Sequence, residues 1–262
     1  MDDQERTRWQ VRLKGEVPDL EDMVLLFTSP DLRVIRDGDA FFLEGAALED
    51  LNATVEVLAA AGDLLLLLNG VGKVRQAGFR EVQLDGHVIE FTESDGKKYS
   101  LATGGSITPR GRREHQVVSV PSLQVRARVY SPTITVEGHE SVPPQPGSLE
   151  TDRWAELARR DPDVAEALAI FGSQPHDWVN LYKVYEIVNR RADIVGEGWG
   201  STKAIDRFKR TANHPGAGGR DARHARSNVQ PPPKPMTLEE GGGLIRTILT
   251  RWLGSRSSGP NP

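Results

Sequence analysis

Cysteine is absent from this chain of 262 residues. That excludes disulfides, thiolate metal sites and a cysteine nucleophile, and it fits a reducing compartment. Aromatic residues are scarce at 6 %. The apolar residues nevertheless come in blocks, as in a folded chain and unlike a disordered one. Apolar runs are short. The longest, Leu64–Leu68, is bounded by Asp63 and Asn69, far below the ~18–20 residues that span a bilayer. The N-terminal MDDQERTR is charged and no apolar stretch follows it, so neither a secretion signal nor a membrane anchor is expected. A cytoplasmic protein is the expectation. A net charge of −4 argues against a protein that binds polyanions over its whole surface.

What is present falls into two halves. In the first, Trp9, Val11 and Leu13 alternate with polar residues, the period of a half-buried strand. Leu20, Met23, Val24 and Phe27 have helical spacing. Asp37-Gly38-Asp39 separates the apolar runs Leu32–Arg36 and Phe41–Leu48, a hairpin signal. Leu48–Val74 reads as one helix, interrupted near Gly62 and Asp63 and ended by Gly70 and Gly72. Glu81–Thr92 and Lys98–Ala102 read as strands, and Gln116–Val120 and Gln124–Tyr130 add more. The order suggests an α+β unit over residues 8–140, a ferredoxin-like βαββαβ pattern with extra strands. VPPQPG, within residues 141–148, reads as a proline-rich linker.

The second half, residues 149–254, reads as all-α. Leu149–Arg160 and Asp163–Phe171 are expected helices, the second capped by Asp161 ahead of Pro162. DWVNLYKVYEIVNRR places Trp178, Leu181, Tyr182, Tyr185 and Val188 on one face. KAIDRFKRTA follows a Ser201 or Thr202 cap. Thr237 and Glu240 form a capping box for the last helix. Gly241, Gly242 and Gly243 stand in its early turns, each costing about 1 kcal/mol relative to alanine. Close packing is one reason for them. Residues 255–262 read as a polar tail.

Several motifs are weaker than they look. NGVGKV, Asn69–Val74, resembles the end of a phosphate-binding loop, but Leu67 and Val74 stand where glycine and Ser/Thr are required. It reads as a glycine-capped helix end, and no cofactor is expected. Glu137-Gly138-His139-Glu140 offers too few partners for a metal. His87 and His115 stand alone. His176 lies at a helix start, where the dipole disfavours its protonated form. Trp178, Tyr182 and Tyr185 could stack bases, but a stripe at helical spacing more often packs a core.

The best candidate site is the run 211–226, TANHPGAGGRDARHAR. Between Lys203 and Arg226 there are seven Lys/Arg against Asp206 and Asp221, a local excess of five. His224 could shuttle a proton. Arg220 or Arg223 could hold a phosphate, and Arg207, Lys209, Arg210, Arg226 and His214 would add phosphate contacts. The RDARH run, Arg220–His224, is read as the start of a helix. The alternative is a basic surface that docks an acidic partner protein without catalysis.

Three features of Pro175–Leu253 resemble a HEPN-type helical domain: the helix DWVNLYKVYEIVNRR, the Asn213–His224 segment ending in ARHA, and the closing TLEEGGGLIRTILTRWL. HEPN domains occur in bacterial abortive-infection, toxin–antitoxin and other antiviral defence proteins. The resemblance implies a helical bundle that acts on RNA, often as a homodimer, and for nuclease members a metal-independent cut by an arginine and a histidine. Many members only bind. Here Arg220 and His224 have three residues between them, one fewer than the pattern, while Arg207 and His214 have six, which fits.

Overall fold

The computed structural model describes residues 8–49, 51–92, 96–101, 146–172, 176–226 and 230–257. The expected strands at 116–130, His115, and the Glu137–Glu140 motif with His139 lie outside these residues.

The fold is α+β. Among the described residues six strands form one antiparallel sheet in the order β2-β3-β4-β1-β5-β6: β1 Arg8–Lys14, β2 Thr28–Ser29, β3 Leu32–Asp37, β4 Ala40–Gly45, β5 Gln83–Thr92 and β6 Gly96–Leu101. The hairpin expected at Asp37-Gly38-Asp39 joins β3 to β4, with Asp37 opposite Ala40 and Gly38 at φ 60°. Only Gly38 and Asp39 make the turn, and the positive φ suits glycine. β2 escaped the sequence reading because two residues show no period.

On one sheet face Trp9, Val11, Leu13, Val34, Leu43 and Val88 are buried. They meet Leu20 and Met23 of α1 (Val17–Leu26), Phe27 just after it, and the apolar side of α3 (Thr54–Arg75). The opposite face carries polar pairs. Glu44 binds Gln10 at 2.5 Å and Arg33 at 2.6 Å, and Arg12 pairs with Asp85 at 3.2 Å.

The long helix differs from the expectation. A short helix, α2 (Ala46–Glu49), comes first and the break falls at 51–53. Gly62 and Asp63 lie inside α3, and so do Gly70 and Gly72. By length and composition α3 could cross a membrane, and more than half of its apolar window is buried in this fold. It escaped the run-length test because Gly62, Asp63, Asn69 and Gly70 divide its apolar residues.

The helices of the second half are α4 (Pro146–Arg160), α5 (Pro162–Gly172), α6 (Trp178–Arg191), α7 (Thr202–Asn213), the single turn α8 (Pro215–Gly218) and α9 (Leu238–Ser257). Pro146–Ser148, assigned above to the linker, open α4, and Ser255–Ser257, assigned to the tail, close α9. Asp161 Oδ1 accepts from the N–H groups of Asp163 and Val164, so the expected cap of α5 is formed. Thr237 and Glu240 exchange the two hydrogen bonds of the capping box, at 3.1 and 2.9 Å. Asp177 caps α6 and Ser201 caps α7.

The buried apolar side chains form one continuous cluster, from Trp9 in β1 to Leu253 in α9. NGVGKV explains much of the join. Asn69 accepts from the Val82 N–H and donates to the Val82 carbonyl, each at 2.9 Å. Gly72 faces the Phe79 ring and Gly70 faces the Leu168 carbonyl of α5. Lys73, 2 % exposed, donates to the Gly172 carbonyl at the end of α5. Its own carbonyl accepts from Arg246 Nε at 3.0 Å. The motif is a packing device between α3, α5 and α9.

Beside it, His176 Nε2 lies 2.8 Å from the Phe171 carbonyl, and its ring packs on that of Phe171. Burial holds its pKa below the ordinary 6.5, and Lys73 and Arg246 push the same way, while the Phe171 carbonyl and Asp177 oppose. The direction agrees with the helix-start argument; the main cause is desolvation. The unfolded chain therefore takes up the His176 proton near pH 6.5 and the folded chain only at lower pH. Stability is full above 6.5 and declines from there to the depressed folded value. In urea titrations across this window, His176→Gln is expected to flatten the decline. An unchanged slope would assign the loss to other groups.

Candidate basic docking surface

α7 is amphipathic. Ile205, Phe208, Thr211 and Ala212 are buried at helical spacing, while Lys203, Asp206 and Lys209 are exposed. Phe208 is enclosed by three rings: Tyr182 stacks on it at 6.0 Å, and Trp178 and Tyr185 lie at 6.1 and 5.9 Å. The aromatic stripe of α6 is therefore core. Trp178, Tyr182 and Tyr185 are all buried, and none offers an open face to a base.

Gly241 belongs to the same packing. A Cβ there would lie 2.6 Å from the Trp178 ring. Close packing thus accounts for one glycine of the three. Among the described residues Gly242 has only a loose neighbour in His176 and Gly243 has none, and nothing there explains them.

Two arginines of α7 point across to the proline-rich strap at 230–236. Arg207 donates to the carbonyls of Lys234 and Pro235, at 2.7 and 3.0 Å, and pairs with Glu240 at 2.8 Å. Arg210 donates to the carbonyls of Gln230 and Pro231, at 2.9 and 3.4 Å, and approaches Asp206 at 3.7 Å. Thr211 Oγ1 donates to the Arg207 carbonyl and accepts from the Met236 N–H at 3.1 Å.

α7 stops at Asn213 because His214 precedes Pro215, which disfavours helical backbone. His214 is extended and its Nδ1 accepts from the Gly216 N–H at 3.0 Å, which caps α8. Gly219, at φ 67°, leads into one 3₁₀ turn, Gly219–Asp221.

RDARH does not begin a helix. After the turn the Arg223 N–H bonds to the Ala212 carbonyl at 2.8 Å, which draws the chain back over the end of α7. The Arg223 guanidinium lies 4.4 Å from the Tyr182 ring centre and pairs with Glu186 at 3.1 Å. A cation over a ring with a carboxylate beside it is a stable seat for arginine.

The candidate residues therefore separate. Arg207, Arg210 and Arg223 hold protein groups, and His214 serves as a cap. Lys209, Arg220, His224 and Arg226 are exposed. Lys203 is also exposed on α7; its four-residue spacing from Arg207 could have placed it on the face of that residue. Of the seven basic side chains, the three engaged arginines leave four, Lys203, Lys209, Arg220 and Arg226, with no ion pair among the described residues. Among the described residues no three His, Asp or Glu side chains converge as a metal site would require. Comparison with protein-family models, with curated proteins and with solved structures finds no match.

Proposed function

We propose that this chain is a non-catalytic interaction module whose basic surface, centred on α7 and the segment after it, docks an acidic partner protein. One observation carries the reading: the arginines and histidine that a nuclease would aim at a phosphate are divided between structural duties and open solvent. Arg207, Arg210 and Arg223 are engaged, His214 caps a turn, and His224 is exposed. A general base gains from a fixed neighbour within hydrogen-bond reach; no hydrogen bond orients His224 among the described residues. The buried aromatic stripe also weighs against single-stranded RNA, whose binding relies on stacking. Exposed lysines and arginines with freedom to move suit carboxylates on a protein surface.

In this reading α6, α7 and α9 form a HEPN-like bundle that binds and does not cut. The sheet half is read as ferredoxin-like. The order β3-β4-β1-β5, with α1 and α3 as the helical connections, supports that, and β2 and β6 extend it.

Charge reversal tests the docking surface. The triple variant Lys203→Glu, Lys209→Glu, Arg220→Glu is expected to bind labelled poly-glutamate roughly tenfold more weakly, since three exposed charge contacts at about 0.5 kcal/mol each sum to that factor. Wild-type binding should itself weaken steadily with added salt. Preference for an RNA oligomer over poly-glutamate at equal salt would reject the protein-partner reading. RNA cleavage in EDTA that His224→Ala abolishes would restore the nuclease.

A further inference from the structure

The strap at 230–236 occupies two of the strongest anion-binding side chains on this surface. Proline has no N–H to donate, so a proline-rich extended segment presents a row of carbonyl oxygens with few competing donors. Arg207 and Arg210, three residues apart on α7, each grip two of them, from Lys234 and Pro235 and from Gln230 and Pro231. To these guanidinium groups the uncharged carbonyl oxygens of the strap stand in for a chain of anionic oxygens. Carboxylates are stronger acceptors for arginine than carbonyls, because the bond is charge-assisted and can be bidentate.

Part of the strap lies open to solvent. Pro232 and Met236 are buried, while Pro233, Lys234 and Pro235 are exposed. A hydrogen bond from the Met236 N–H to Thr211 Oγ1 pins its far end.

Resting on the docking function proposed above, we propose that the strap and the acidic partner compete for Arg207 and Arg210. In the free protein the strap masks both arginines, and only the exposed cations make first contact. A partner that engages Lys203 and Lys209 brings carboxylates to the same helix. They displace the strap carbonyls and add two arginines to the interface. Lys234 leaves with the strap. Arg207 also pairs with Glu240, whose carboxylate accepts from the Thr237 N–H, so displacement loosens the first turn of α9.

Amide hydrogen exchange on the full chain reads this directly, with poly-glutamate as the probe. Saturating poly-glutamate is expected to speed exchange at the Met236 and Thr237 amides severalfold and leave amides in the middle of α6 unchanged. Pro232→Gly, which unseats the strap without touching a basic residue, is expected to bind poly-glutamate several times more tightly than wild type. Binding with the Met236 amide fully protected, and equal affinity for Pro232→Gly, would overturn the competition and leave the docking function standing. If neither wild type nor Pro232→Gly binds, the docking function fails and the competition with it. Should Pro232→Gly not fold, the wild-type exchange experiment decides alone.

Discussion

Gly70→Ala is expected to cost about 3 kcal/mol or more, at the upper end of what overpacking a core costs. A Cβ on Gly70 would sit 2.4 Å from the Leu168 carbonyl oxygen and 2.8 Å from its carbon. Those are backbone atoms of a helix, so no rotamer change relieves the contact. On the other side, a Cβ on Gly172 would meet the Gly70 nitrogen at 2.7 Å. The two helices touch backbone to backbone, and only glycine allows it. To admit a methyl group α3 and α5 must part. Lys73 would then lose its hold on the Gly172 carbonyl. Gly62→Ala is the control. It lies in the same helix with nothing among the described residues within 4 Å of the added Cβ, so it is expected to stabilise by about 0.5–1 kcal/mol. Urea denaturation of both variants checks the pair. Equal and small effects would mean that α3 and α5 do not meet at these glycines.

Phe208→Ala is expected to destabilise by about 3–5 kcal/mol, the usual cost of truncating a fully buried phenylalanine. Phe208 is 0 % exposed and lies among Trp178, Tyr182 and Tyr185. The change leaves a cavity beneath α7 and removes three ring contacts. It should also disturb the Tyr182 ring on which Arg223 rests. Trp178 fluorescence and near-ultraviolet circular dichroism should both change, because Trp178 borders the cavity. Phe208→Leu, which keeps most of the volume, should cost less than half as much. A loss under about 0.5 kcal/mol for Phe208→Ala would be the signature of a surface position and would contradict the packing of α7 on α6.

Local features were legible in the chain itself. The Asp-Gly hairpin, the Asp161 cap and the Thr237–Glu240 box depend on residues within four positions of one another, and each formed as read. Alternation in Trp9, Val11 and Leu13 gave the buried side of β1 because strand side chains point to opposite faces. The helical spacing of Trp178, Tyr182 and Tyr185 marked a core face for the same kind of reason.

Gly70 was misread because its reason, Leu168 of α5, lies in a distant part of the chain. Gly70 in a lone helix is a weak point, and a helix end is the sensible reading. Against Leu168 it is the one residue that fits. RDARH was misread for a similar cause. Its composition allows a helix, but the Arg223 N–H finds the Ala212 carbonyl and its guanidinium finds Tyr182 and Glu186. Charge counting located the basic segment and could not tell engaged arginines from open ones, since that depends on which acceptors the fold brings within reach.

By itself, then, the sequence determined the α+β character of the chain, the caps, the hairpin and the basic segment at 203–226, all through interactions between near neighbours. Only the tertiary structure decided which basic side chains face solvent, why α3 carries Gly70, and that the proline strap lies across Arg207 and Arg210. Those outcomes depend on groups far apart in sequence meeting at contact distance, and no local pattern encodes such a meeting.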